Sequence, residues 1–280
     1  MRFEVLGPVT VRTDAGSAVR VPEAKVRTLL AALLVRRGRP VPVDRLVDDL
    51  WGDAQPADPV NSLQTKVSQL RRALAKAEEG GRALVTHGPA GYTLAAPASA
   101  VDAGVFAELV ARARREEGAA ERAALLTRAV GLWRGPAYAD LGDAGFVRAE
   151  AAGLEEQRIT AHEELAEARL ELGHHAELAD GLAELAQRHP LRQRLRAAQM
   201  RALYGAGRQD EALAVHGEVR ERFAQDLGID PDPELAALYT AILRQDPELT
   251  VRRAPYDGAP GAAPGHGVPA KTQAPPAVRP

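Results

Sequence analysis

The sequence predicts a mainly helical protein in two parts, an α+β domain at the N-terminus followed by an all-α domain. Three observations support this organisation. Short alternating segments at both ends of residues 1–97 indicate β-strands, and three segments with helical spacing lie between them. Residues 98–250 show long helical patterns rich in Ala, Leu, Arg and Glu. Residues 251–280 are dominated by Pro, Gly and Ala, and this composition predicts a disordered tail.

The α+β domain begins with a predicted small sheet, and two helices follow it. Alternating apolar and polar residues define the strands, apolar spacing of three and four residues defines the helices, and Gly38 is a helix stop signal. In order, the elements are a strand over Phe3–Arg12, a turn at Asp14–Gly16, a strand over Ala18–Val21, a helix over Ala24–Arg37 and a helix over Val43–Trp51. Trp51 ends the second helix and is predicted to contribute to the core.

A third helix is predicted over Pro59–Ala77, with Asp58 as its N-cap and Pro59 in its first turn. Four of its residues fall within roughly 60° of one another at about 100° per residue, so this side is committed to a core. They are Leu63, Val67, Leu70 and Leu74. The segment holds four cations and no acid, so nothing in it repels a polyanion. In isolation it would also fit an ordinary solvated amphipathic helix.

The polar side of this helix carries candidate DNA contacts. Short polar residues on the side opposite the core would meet base edges in a major groove, and longer cations at the flanks would meet phosphates. The base-facing candidates are Asn61, Thr65, Ser68 and Gln69, and the phosphate candidates on the helix are Lys66, Arg71, Arg72 and Lys76. Arg71 lies about 80° from the apolar stripe on a helical wheel, and it could instead brace the fold through an internal carboxylate.

A hairpin is predicted directly after this helix. Leu84–Thr86 and Tyr92–Leu94 have strand character, and the glycine-containing segment Gly88–Gly91 forms the turn. A sheet, three helices and a hairpin in this order make a winged helix-turn-helix domain over residues 1–97. This order of elements favours a DNA-reading role for Pro59–Ala77.

Residues 22–94 resemble the DNA-binding domain of OmpR/PhoB-type response regulators. The resemblance rests on VPVDRLVDDLWG, on NSLQTKVSQLRRAL and on the T-x(5)-Y wing that ends in Gly91-Tyr92. A helical region after the reader, together with the start MRFEVLGPVTV, is similar to the Streptomyces antibiotic regulatory protein (SARP) family. That family carries a bacterial transcriptional activator domain at this place. No phosphoacceptor receiver domain precedes the winged helix in this sequence.

The resemblance implies further roles within the first domain. Gln64 matches a base-reading position, and Thr86 matches a phosphate-contacting threonine of the wing. Gly88 stands where OmpR/PhoB-type proteins often present an arginine to the minor groove, which leaves His87 as the nearby candidate. The loop after the second helix, with Gly52, Asp53, Gln55 and Asp58, is implied to contact RNA polymerase.

The all-α domain shows a weak internal repeat. Gly173 and Gly207 each follow a helix-like segment and lie 34 residues apart, as do Glu177 and Glu211. Helix, glycine-containing turn and helix at this period are typical of tetratricopeptide repeats. The prediction is a tetratricopeptide-like helical domain over residues 98–250. Its family counterpart is implied to mediate self-association and partner contact.

Charge is distributed unevenly between the two parts. Residues 1–97 hold 14 Lys and Arg against 10 Asp and Glu, whereas residues 98–280 hold 22 against 28. This asymmetry suits a chain with one polyanion-binding module. No segment approaches 18 uncharged apolar residues, so no membrane span is predicted and a cytoplasmic, nucleoid-associated protein is expected.

Catalytic motifs are missing from the sequence. Cysteine is absent, HEELA (162–166) lacks the second histidine of a zinc-protease helix, and no serine lies in a G-x-S-x-G motif. The adjacent His174 and His175 are predicted as a surface pair, not a metal site. No enzymatic activity, metal or cofactor is therefore expected.

Together these observations predict a transcriptional activator of a secondary-metabolite gene cluster. Its predicted partners are double-stranded promoter DNA with direct repeats, bound as a dimer, and RNA polymerase holoenzyme, with no membrane. Two alternatives remain open: a helical tetratricopeptide-like adaptor that does not bind DNA, and an enzyme with an unrecognised site.

Overall fold

The computed structural model of the chain describes residues 1–142 and 144–250. Within them the chain forms ten α-helices and five short strands, which confirms the mainly helical prediction. The predicted disordered tail, residues 251–280, lies outside the described residues. None of the helices in the described part of the chain combines the length and the apolar character that a membrane span requires.

The N-terminal sheet has three antiparallel strands instead of the predicted two. They are β1 (Arg2–Glu4), β2 (Thr10–Arg12) and β3 (Ala18–Val19), with Phe3 opposite Val11 and Val11 opposite Val19. The single strand predicted over Phe3–Arg12 is therefore wrong. Gly7 adopts a φ of 148° and Pro8 has no N–H, so the chain reverses between the two arms. Both arms keep the alternating pattern, which is why the sequence reads as one strand.

The three helices of the winged domain follow as predicted. They are α1 (Ala24–Val35), α2 (Val43–Trp51) and α3 (Pro59–Ala77). The helix α1 ends two residues before the predicted limit, with Arg36 as its C-cap. Trp51 is partly buried against the core.

The wing consists of β4 (Val85–Gly88) and β5 (Gly91–Leu94), with Gly88 opposite Gly91. The strands reach further into the predicted turn, so only Pro89 and Ala90 form the loop. Two backbone hydrogen bonds join Val41 to Tyr92, at 2.7 and 2.9 Å, and hold the base of the wing. Gly91 is required there: its φ is 117°, and a Cβ would stand 2.0 Å from the carbonyl oxygen of Val41.

The described residues of the helical domain form seven α-helices, which pack largely in sequence order. They are α4 (Asp102–Ala113), α5 (Ala119–Val130), α6 (Gly145–Glu171), α7 (His175–Arg188), α8 (Gln193–Gly205), α9 (Gln209–Leu227) and α10 (Pro233–Leu243).

The 34-residue period of the sequence is repeated in the hydrogen bonds that end α6 and α8. The N–H of His174 donates to the Arg169 carbonyl at 3.0 Å, and the N–H of Arg208 donates to the Leu203 carbonyl at 2.9 Å. Both turns contain a glycine with positive φ, at positions 173 and 207. The turns between α6 and α7 and between α8 and α9 are thus equivalent, although α6 has 27 residues and α8 has 13.

The hydrophobic core does not divide at residue 97. One cluster of buried residues runs from Phe3 through the winged domain to Ala168 in α6, and a second runs from Ala166 to Ile242. The long helix α6 contributes to both clusters. The domain boundaries predicted from the sequence, 1–97 and 98–250, therefore stay a prediction, because the buried clusters do not follow them.

Candidate nucleic-acid interface

The position of α3 is set by its cap and by its apolar stripe. The carboxylate of Asp58 accepts a hydrogen bond from the Asn61 N–H at 3.0 Å, and Pro59 occupies the first turn, as predicted. The predicted stripe is at most 2% exposed at every position: Leu63, Val67, Leu70 and Leu74. The opposite side of α3 is thereby directed outward.

The outward side of α3 displays most of the predicted polar residues. Asn61, Gln64, Thr65 and Ser68 are exposed. The hydroxyl of Thr65 donates to the carbonyl of Asn61 at 3.0 Å, one turn earlier. The Asn61, Gln64 and Ser68 side chains form no hydrogen bond with other groups in the described part of the chain.

Two of the predicted phosphate contacts are free cations. Arg72 and Lys76 are exposed, and among residues 1–142 and 144–250 neither has an ion-pair partner. They lie one helical turn apart, at positions i and i+4, so they share one side of α3. This arrangement leaves both charges available to a polyanion.

Lys66 and Gln69 are engaged within the protein. The carboxylate of Glu23, the residue before α1, forms an ion pair with the Lys66 ammonium. Its other oxygen accepts a hydrogen bond from Gln69 Nε2 at 2.9 Å. Glu23 was not among the predicted site residues, and its separation from α3 in sequence gives no local signal of this contact.

Arg71 points back toward the wing. Its Nε donates to the Val85 carbonyl at 2.9 Å, and the side chain is half-buried. The sequence left open whether Arg71 contacts phosphate or braces the fold. The contact found here is a brace from α3 to β4, made through a backbone carbonyl instead of a carboxylate.

The predicted wing residues are exposed. Thr86 lies on β4, where its hydroxyl is 3.5 Å from the Thr93 carbonyl. The His87 ring packs on the Tyr92 ring with 4.5 Å between centroids. Gly88 at the tip is exposed, and a Cβ there would meet nothing within 4 Å.

The loop between α2 and α3 is exposed at Gly52, Asp53, Gln55 and Asp58. Gln55 donates to the Asp48 carboxylate at 3.0 Å, and Asp58 serves as the α3 cap. The ammonium of Lys25 donates to the Leu50 carbonyl and so supports the end of α2. Sequence reasoning missed this contact.

An open groove adjoins this loop. Its apolar lining consists of Val43, Val47, Pro59 and Val60, and Asp44, Asp48 and Gln55 complete it. Val60 is 50% exposed and forms part of the apolar lining. The groove was not predicted, because it requires α2 and the start of α3 to lie side by side.

The histidines that the sequence raised as alternatives do not assemble into a site. His162 is mostly buried in α6, and burial, reinforced by the Arg158 charge, lowers its pKa to about 4. His174 is exposed, whereas His175 is half-buried with its ring against Gly205. Among the described residues, no group of three or more His, Asp or Glu could hold a metal ion.

Both parts of the chain match models of regulatory domains. Residues 21–94 match the family described as "Transcriptional regulatory protein, C terminal", and residues 101–243 match "Bacterial transcriptional activator domain". Neither description is that of an enzyme.

Several relatives share both parts. Regulatory protein DnrI of Streptomyces peucetius is 34% identical over 261 residues, which cover 89% of this chain and 94% of that protein. Transcriptional regulator RedD of Streptomyces coelicolor is 36% identical over 261 residues, covering 90% of this chain and 73% of RedD. Regulatory protein AfsR of Streptomyces griseus is 38% identical over 253 residues, but these cover only 25% of AfsR.

A solved structure has the same fold. It is that of Mycobacterium tuberculosis EmbR in complex with a low affinity phosphopeptide, with a TM-score of 0.81 and 35% sequence identity. The match covers 87% of this chain and 65% of the EmbR chain. The chain thus spans about a quarter of AfsR and less than two thirds of EmbR.

Proposed function

Because this chain belongs to the SARP family of transcriptional regulators, we propose that it activates a secondary-metabolite gene cluster by binding direct repeats near its promoter. The observation that carries the proposal is the outward side of α3, which contains no acid and leaves Arg72 and Lys76 unpaired among the described residues. A helix of this kind fits the major groove of double-stranded DNA.

The contacts on α3 divide by the length and chemistry of the side chains. Exposed amides can read adenine, and hydroxyls can bond to either partner of a base pair. The candidates for base contact are Asn61, Gln64, Thr65, Ser68 and Gln69. Arg72 and Lys76 contact phosphates, together with Lys66 and, from the wing, Thr86 and His87. Phosphate contacts fix the register of the helix, and base contacts select the sequence.

Direct repeats place two copies of the protein in the same orientation on DNA. Two such copies meet through different surfaces, since a two-fold axis would require inverted repeats. A dimer on DNA therefore uses a head-to-tail contact. The acidic helical domain offers a surface distinct from the basic reader, which suits such an arrangement.

Recruitment of RNA polymerase is assigned to the loop of residues 52–58. Asp53 and Gln55 are exposed there, beside the groove that contains Val60. We expect Asp53→Ala with Gln55→Ala to retain DNA affinity and to lose activation in transcription with purified polymerase. Loss of DNA binding in this double variant would contradict a role confined to polymerase contact.

The DNA-binding proposal is tested by footprinting the full chain across the upstream regions of its neighbouring genes. We expect protection of a directly repeated sequence. The double variant Arg72→Ala, Lys76→Ala should bind that site more weakly, and the slope of log affinity against log salt should fall by about 1.8 for two lost phosphate contacts.

A matched control removes two cations from the helical domain, as Arg201→Ala with Arg220→Ala. Both residues are exposed on α8 and α9, so this variant should keep the wild-type slope. A wild-type chain that protects no DNA, or an unchanged slope in the α3 variant, would refute the proposal. The first outcome would favour the helical adaptor.

A further inference from the structure

Glu23 uses its side chain in an unusual way for the residue that precedes a helix. An N-cap side chain normally accepts hydrogen bonds from the first amides of its own helix. Glu23 makes no such bond with α1. Instead its two carboxylate oxygens bond to α3, one to the Lys66 ammonium and the other to Gln69 Nε2.

This contact neutralises part of the DNA-reading side. The Lys66 side chain is only 20% exposed, although Lys66 is one of the cations predicted to contact DNA from α3. The hydrogen bond from Lys66 holds the pKa of Glu23 below its usual range, so the carboxylate is charged at neutral pH. The pair therefore contributes no net charge toward a polyanion.

The same contact leaves Gln69 incompletely bonded. Its Nε2 is taken by Glu23, while its Oε1 is buried without a hydrogen-bond partner in the described part of the chain. A buried acceptor without a partner is unfavourable. A glutamine reads adenine by using both of these atoms together, and the Glu23 contact prevents this.

Taking the proposed function as its premise, we propose that Glu23 is a latch that holds Lys66 and Gln69 away from DNA and lowers the affinity of the chain for it. In the DNA-free protein it holds Lys66 and Gln69, and a DNA phosphate displaces its carboxylate from Lys66. Release of Gln69 then completes a base contact. Glu23 remains beside the phosphates and weakens every complex. The released Gln69 gains a base contact only at a cognate site.

This arrangement has a measurable consequence for affinity. Binding to non-specific DNA is almost entirely electrostatic, so the neutralised Lys66 reduces it. The free energy needed to displace Glu23 is the same at the cognate site, where Gln69 makes its base contact with or without the charge of Glu23. Removing the charge of Glu23 should therefore tighten binding to cognate and non-specific DNA by similar factors.

The test compares Glu23→Gln with the wild type as full chains. Fluorescence anisotropy would measure affinity for the footprinted repeat and for a scrambled duplex across a salt series. We expect both duplexes to bind about 2- to 5-fold tighter, as for release of one exposed ion pair. Their log–log salt slopes should steepen by about 0.9.

Two further variants isolate the latch. Glu79→Gln removes an exposed acid just after α3 and measures the general effect of one charge; it should change affinity less than Glu23→Gln. In a Lys66→Gln background, Glu23→Gln should give no more gain than Glu79→Gln gives in the wild type. A larger gain there, or Glu23→Gln binding like the wild type, would overturn the latch while wild-type binding of the repeat still supports the proposed function.

A measurement without DNA completes the test. Carboxyl 13C NMR would titrate Glu23 in the wild type and in Lys66→Gln, where we expect its pKa to rise toward the ordinary range. Equal pKa values in the two proteins would overturn the latch. A wild-type chain that binds no DNA would overturn the proposed function, and the latch with it.

Discussion

The carboxylate of Asp102 accepts a hydrogen bond from the backbone N–H of Val5 at 2.7 Å, across 97 residues of sequence. Its second oxygen accepts from the Leu6 N–H at 3.0 Å. In return, the Arg134 and Tyr138 amides donate to the Leu6 and Val5 carbonyls at 2.8 and 2.9 Å. The loop between β1 and β2 thus joins the reader to the helical domain through its backbone.

Asp102→Ala should destabilise the whole chain. It leaves two backbone amides without an acceptor beside the buried Val5 and Leu6, which should cost about 2–4 kcal/mol of the free energy of unfolding. Urea denaturation followed by circular dichroism would measure this cost. Asp53→Ala, which removes an exposed acid, should stay within about 0.5 kcal/mol of the wild type. Equal midpoints for the two variants would contradict a structural role for Asp102.

Adjacent arginines on α3 should separate stability from DNA binding. Arg71→Ala removes the hydrogen bond to the Val85 carbonyl and should lower the free energy of unfolding by roughly 1–2 kcal/mol. Arg72→Ala removes an exposed cation, so it should leave stability unchanged and lower the log–log salt slope by about 0.9. Thermal denaturation and salt-dependent anisotropy on both variants would check the pair. Equal melting temperatures would show that Arg71 is not a brace.

The sequence predicts α3 well because its signals are local. Asp58 and Pro59 mark its start, and four apolar residues at helical spacing mark its buried side. The contacts of Glu23 with Lys66 and of Arg71 with Val85 join elements that are distant in sequence or differ in type. No periodicity encodes such pairs, because they depend on how the elements pack.

The sheet shows how a correct local pattern gives a wrong element. Phe3 and Val11 are both buried and lie opposite each other, so alternation continues through the reversal at Gly7-Pro8. The sequence also does not reveal that the core divides within α6. One long amphipathic pattern covers this helix, although its residues belong to two hydrophobic clusters. The apolar pattern of the sequence therefore predicts which side of a strand or helix is buried. It does not predict which other element packs against that side.

Stability should fall in mild acid because of His162. Burial is the main cause that lowers its folded pKa to about 4, below the value of about 6.5 in an unfolded chain. Between these pH values the unfolded state binds more protons than the folded state. The contribution of neutral His162 to the free energy of unfolding is therefore fully present above pH 6.5 and is lost as the pH falls to about 4. The loss attributable to this residue is about 1–3 kcal/mol.

Urea midpoints at several pH values would compare the wild type with His162→Gln, whose stability should depend less on pH. Part of the dependence should persist, since burial lowers the pKa of three other histidines: His175, His189 and His216. His174→Gln, at an exposed position, should retain the wild-type profile. A His162→Gln profile parallel to the wild type would show that this histidine does not carry the acid sensitivity.

Gly88→Arg should strengthen DNA binding through the wing. The tip is exposed, a Cβ at this position meets nothing within 4 Å, and the backbone φ lies outside the left-handed region, so the substitution should fold. An arginine there can enter a narrow, A·T-rich minor groove, whose negative potential is enhanced. We expect a log–log salt slope steeper by about 0.9, with a larger gain in affinity when the sequence flanking the repeat is A·T-rich. Gly88→Gln adds a polar side chain without the charge and should leave the slope unchanged. If Gly88→Arg and Gly88→Gln bind alike, the wing tip does not approach DNA, and phosphate contact from this hairpin would be limited to Thr86 and His87 nearer its base.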